Sequence, residues 1–168
     1  VEQSLARLDL VFVDHAYRVD LVELDRRYHV MQLVREPREA SAAIGTSLLR
    51  SAADVLSDAG VGQFLRDGPH HHHSVAYGAV AAALDMPTEL AMQSYALGSV
   101  RGQVSAAQRL GWIGQREAQR MLHRLKPSLL AAVADASSMN LDDVGTFVPT
   151  WDIAAMAHER ADARMFAS

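Results

Sequence analysis

At 168 residues the chain fits one domain with a sizeable core, and 49% hydrophobic against 6% aromatic residues makes that core aliphatic. A formal charge of -4, with every basic residue except Lys126 an arginine and no basic run along the sequence, argues against a partner that is nucleic acid. The absence of cysteine removes disulfides, thiolate metal ligands and cysteine nucleophiles, and the longest apolar run, Val75 to Leu84, is about half of the ~20 residues a membrane helix needs.

Alanine is abundant and Val and Ile are scattered, so the local preferences predict an all-α protein: one compact helical bundle over residues 1–168. No signal peptide opens the chain, which reads as cytoplasmic, and a start at Val1 in place of methionine suggests that a natural N-terminal segment precedes it. Val1 to about Val19 carries Leu5, Leu8, Phe12 and Val19 at helical spacing, with Asp9 and Asp14 on other faces. Leu21 to Val34 continues with Leu24, Tyr28, Met31 and Val34, its charges mostly off that stripe. Pro37 suits a helix first turn, and Ala40, Ile44, Leu48, Ala52 and Val55 predict a long helix ending near Leu56. Gly45 inside it costs roughly 1 kcal/mol against Ala and suggests close approach by another backbone.

Gly60, Gly62, Gly68 and Pro69 make Ser57 to His73 the best loop candidate. Ser74 to Met86 is predicted helical up to Pro87, and Thr88 caps a long helix to about Leu110 with Leu90, Leu97, Val100, Val104 and Ala107 facing inward. Gly98 and Gly102 in that helix form a small-residue repeat suited to close helix packing. Gly111 to Gly114 turns the chain, and Gln115 to about Ser137 follows with Ala118, Met121, Leu125, Leu129 and Val133, kinked or restarted at Pro127. Thr150 caps a last helix from Trp151 to about Arg164, with Phe166 beyond it.

Four consecutive histidines, His70 to His73, are the one obvious metal-ligating feature, able to bind nickel, zinc or copper as neutral imidazoles. In a flexible loop they lack the further ligands that fix a coordination shell. His158-Glu159 matches the start of a zinc metallopeptidase helix, but Asp162 stands where the second histidine belongs. No glutamate has a histidine three residues later, which removes a di-iron bundle, and Lys126 follows no glycine-rich turn, which removes a P-loop. Asp14-His15 and Asp25 with His29 are possible acid/base pairs, although such pairs on amphipathic helices are usually surface hydrogen bonds. No catalytic residue is assigned. An apolar helical body with distinctive polar residues on turns and tail suits a binding or scaffold protein.

Several of the unexplained positions form one pattern: Arg38-Glu39-Ala40-Ser41 with Gly45, His73 with Tyr77-Gly78, Arg109-Leu110 with Gly114-Gln115 and Gln119, Pro149 with Asp152-Ile153, and His158-Glu159 with Arg164, Phe166 and Ser168. In that order they resemble the UreF-type urease accessory proteins over nearly the whole chain. Met165 and Ala167 depart from the family's usual leucine and basic residue. The resemblance implies an all-helical, non-catalytic adaptor that helps load nickel into the urease apoprotein, binds a UreD/UreH-type accessory protein, recruits the UreG-type GTPase and forms a homodimer. It implies partner contacts at Gln115, His158, Glu159, Arg164, Phe166 and Ser168, with Arg164 gripping a carboxylate, Phe166 seated in a partner groove, and His158 with Glu159 fixing the tail. No tightly bound cofactor is expected beyond transient nickel. The competing readings are a direct nickel carrier using His70 to His73 and the ligand-sensing domain of a helical regulator.

Overall fold

The computed structural model describes residues 8–144, and the predicted helix from Trp151 and its tail lie outside them. The described residues form α1 (Leu10–His15), α2 (Leu21–Met31), α3 (Arg35–Leu56), α4 (Ala59–Asp67), α5 (His73–Ala83), α6 (Thr88–Arg109) and α7 (Gln115–Ser137), then a 3-10 turn at Leu141–Asp143. No strand occurs among them. The all-α expectation is met.

Two short helices make the centre. In α1, Leu10 through Asp14 are all buried, and in α5 most residues are, so neither shows the one-sided stripe of a surface helix. They cross at Gly78, where a Cβ would lie 2.6 Å from both the Ala16 Cβ and the Val13 carbonyl oxygen. Only a hydrogen fits there. Helix α3 covers α5 on one side, the α6–α7 pair packs beside α1 on the other, and α2 and α4 close the end nearest the histidines. The core between them is aliphatic, with Phe12, Phe64, Met92 and Tyr95 as its larger members.

The segment read as a loop, Ser57 to His73, contains a helix. Asp58 caps α4 by accepting a 2.8 Å hydrogen bond from the Val61 amide, and Val61 and Phe64 bury one face. Capping and burial outweigh the helix cost of Gly60 and Gly62, roughly 1 kcal/mol each. Pro127 neither ends α7 nor starts a new helix, because Gln115–Ser137 is one continuous element whose proline side is exposed.

The inward face of α3 is rotated from its sequence stripe, while those of α6 and α7 hold with one exposed member each. On α3 the buried residues are Gly45, Leu49 and Ala52, whereas Ile44 is half-exposed and Val55 is 79% exposed. Helix α6 buries Ala91, Met92, Tyr95, Ala96, Val100 and Val104 and leaves Leu90 half-exposed, and α7 leaves Met121 at the surface. Gly98 and Gly102 are exposed with nothing within 4 Å of an added Cβ, so within the described residues they pack against no helix. Asp14, placed on an outer face by the sequence, is buried and paired with Arg18.

Candidate functional site

Asp25 organises the end of the molecule that holds the histidines. It is fully buried on α2, and its Oδ2 accepts hydrogen bonds from the His70 and His71 amides at 2.8 and 2.9 Å, while Oδ1 accepts from the His72 amide at 2.8 Å. Three consecutive N–H groups around one carboxylate make an anion nest. The His71 backbone bends into it with φ of 60°, a left-handed conformation uncommon for a residue with a side chain. One amide further on, His73 donates to the Ser41 Oγ of α3 at 3.1 Å.

Gly45 completes the clamp. A Cβ there would stand 1.9 Å from the His71 carbonyl oxygen and 2.9 Å from the next backbone atoms, so α3 touches the turn backbone to backbone. Arg38 of α3 donates to the Gln32 carbonyl at 3.0 Å and ties the C-terminal end of α2 to the same corner. Ser41, Gly45 and His73, three positions of the sequence pattern, therefore meet at one turn, and a fourth, Arg38, secures the end of α2 beside it.

Of the four imidazoles, His70 and His72 turn to the same neighbour, His29, with their own ring centroids 5.7 Å apart, while His71 and His73 leave in other directions. His70 stacks on His29 of α2 with ring centroids 3.5 Å apart. His71 has its Nδ1 3.2 Å from the Thr46 Oγ1 and stands edge-on to Phe64. His72 is fully buried beside Tyr28, its Nε2 3.0 Å from the His29 Nδ1. His73 packs against Tyr95, with Tyr77 close by. Among the described residues no three His, Asp or Glu side chains are grouped as a metal-ion ligand set.

Burial drives the protonation states. It lowers the His72 pKa to about 4 against the opposing pull of Asp25, so the ring is neutral near pH 7. His29 and His73 are lowered by the same cause. His72 Nδ1 has no hydrogen-bond partner. Because an orphaned buried acceptor costs less than an orphaned N–H, we assign the tautomer in which His72 Nε2–H donates to His29. Behind this pair the Tyr28 hydroxyl donates to Asp9, whose carboxyl is pushed up to about 6 by its own burial.

Of the other predicted contact residues, Gln115 is exposed at the start of α7, and its Oε1 accepts a 2.7 Å hydrogen bond from Gln108 across the α6–α7 turn. His158, Glu159, Arg164, Phe166 and Ser168 lie outside the described residues. Sequence reasoning paired Asp25 with His29 as a possible acid/base couple on an exposed face, and missed its buried role as acceptor of the turn's amides. The available signal was its place beside Leu24 and four residues before His29.

Such a fold and site define an all-helical protein whose most distinctive polar residues hold its helices together. A UreF family model matches residues 1–126. Urease accessory protein UreF of Paenarthrobacter aurescens (strain TC1) is 33% identical over 154 residues, covering 89% of this chain and 69% of that protein. The proteins of the same name from Bradyrhizobium sp. (strain BTAi1 / ATCC BAA-1182) and Arthrobacter sp. (strain FB24) are each 30% identical, over 95% and 100% of this chain and 70% and 77% of their own lengths. The chain belongs to the UreF family.

Proposed function

We propose that the chain is a non-catalytic adaptor of urease maturation that bridges a UreD/UreH-type protein and the UreG-type GTPase during nickel insertion into the urease apoprotein. It works as a homodimer in the cytoplasm and holds no resident cofactor. Family membership supports the role in urease maturation. The observation that favours adaptor over nickel carrier is the locked histidine turn, whose amides are held by Asp25 while the His71 and His73 rings pack away from the His70 and His72 rings that meet at His29. A metal carrier needs those nitrogens aimed at a common point.

In this reading His158, Glu159, Arg164, Phe166 and Ser168 form the tail contact to a partner of the maturation assembly. Gln115, tied to Gln108, presents the α6–α7 turn. A pull-down with purified UreG-type GTPase and UreD-type protein tests it, using the full chain beside a variant ending at Ala163. Binding by the full chain that the truncation loses supports the adaptor and its tail. No binding by either folded chain rejects it, and stoichiometric Ni(II) binding abolished by replacing His70 to His73 would favour the carrier.

A further inference from the structure

Helix α7 turns a row of cations to solvent. Arg116, Arg120 and Arg124 follow one another at four-residue spacing, about 6 Å per step along the axis, on the side opposite Ala118, Leu129 and Val133. All three are exposed, and none has an ion-pair partner among the described residues. Arg18 pairs with Asp14, Arg26 with Glu23 and Arg27 with Asp142, whereas exposed Arg50, Arg66 and Arg101 have no ion pair among the described residues either, so the α7 cations are distinguished by their repeat along one helix face. The row is set apart within a chain of net charge -4.

The three arginines share an open stretch of helix surface with Gly114, Gln115, Glu117 and Met121. Gly114 is the N-cap and has no side chain to cap α7, so the first amides of the helix add positive potential at the same end. Met121 is 41% exposed within this row, and Trp112, two residues before Gly114, is 75% exposed. Arginine, methionine and tryptophan are the types enriched in protein interfaces.

We propose that this ridge docks a carboxylate-rich surface of a partner protein in the urease-maturation assembly. The inference rests on the adaptor reading but uses residues distinct from the tail. A protein fits better than a nucleic acid or an anionic membrane for two reasons. Glu117 stands among the arginines, where it can accept hydrogen bonds from the N–H and O–H donors that a protein surface carries between its carboxylates and a phosphate backbone lacks. Met121 offers apolar area that a phosphate backbone leaves uncovered. Carboxylates two turns apart on a partner helix would match the spacing of the row and pair with the guanidinium forks.

The test titrates the full chain and a triple variant, Arg116→Glu with Arg120→Glu and Arg124→Glu, against purified UreG-type GTPase, UreD-type protein and urease apoprotein at low and high salt. Duplex DNA and phosphatidylglycerol vesicles run alongside, and circular dichroism checks folding. The expected result is about a tenfold or greater loss of affinity for at least one protein partner, smaller at high salt, with much of the binding kept by the corresponding triple Lys variant. Equal binding by wild type and the Glu variant overturns the ridge and leaves the adaptor standing. An effect confined to DNA or vesicles also overturns it, in favour of a polyanion. Wild type that binds none of the three proteins overturns the adaptor reading and this inference together.

Discussion

Asp25 is the residue on which most of the histidine end depends. Replacing it with Asn keeps the size but supplies one carbonyl oxygen for three amides and turns an NH2 group toward one of them. Since a charged acceptor is lost and buried donors are stranded, Asp25→Asn is expected to cost about 2–4 kcal/mol, read as a lower urea midpoint at unchanged slope. An unchanged midpoint would mean that water satisfies these amides equally well. Protonation belongs to the same scale. His72 titrates near 4 when folded against 6.5 when unfolded, so its contribution to stability is complete above pH 6.5 and is lost as pH falls toward 4. His29 and His73 act in the same direction. Asp9, raised from 3.8 to about 6, acts the other way: its contribution is complete below 3.8 and is lost as pH rises through 6. His72→Gln removes one of the opposed terms, so the melting-temperature gap to wild type is expected to narrow between pH 7.5 and 4.5. A constant gap would show that His72 binds protons alike in both states.

Helix α3 and the turn it clamps set the register of that half of the protein. Gly45→Ala drives a methyl group into the His71 carbonyl, and since the opposing atoms are backbone, no rotamer change relieves the clash. The expected loss exceeds about 3 kcal/mol, visible as a large fall in melting temperature or in soluble yield. Gly45 was legible in the sequence for this reason, a glycine in the middle of a strong helix pattern. The stripe around it was less so. Ala40, Ile44, Leu48, Ala52 and Val55 fit one helical face, but the turn docks on Gly45, rolling the helix until Leu49 faces inward and Val55 faces out. Helix α4 was hidden by its glycines, although Asp58 followed by Val61, Phe64 and Leu65 carried the cap and the face. The arginine row of α7 was equally present in the sequence, yet spacing by four scatters it when only contiguous runs count as clusters. What could not be read was any contact between distant segments, such as Asp25 with His70 to His72, because no local pattern encodes the partner.

For the whole molecule, the outward face of α6 bears on assembly. Gly98 and Gly102 meet nothing inside the described residues, so alanine at both is expected to stabilise the single chain by roughly 0.5–1 kcal/mol each through helix propensity. If the proposed homodimer uses this face, the same double variant raises the melting temperature at low concentration while shifting sedimentation toward the monomer. A higher melting temperature with unaltered sedimentation would move the dimer contact elsewhere. The Asp25 nest also has a kinetic meaning. Its hydrogen bonds join residues 45 to 47 positions apart and protect three amides that belong to no helix. Local fraying cannot release them, because α2, α3 and the turn must separate together. In deuterated buffer the amides of His70 to His72 should therefore exchange as slowly as those of the central helices, and so report the opening of this whole corner.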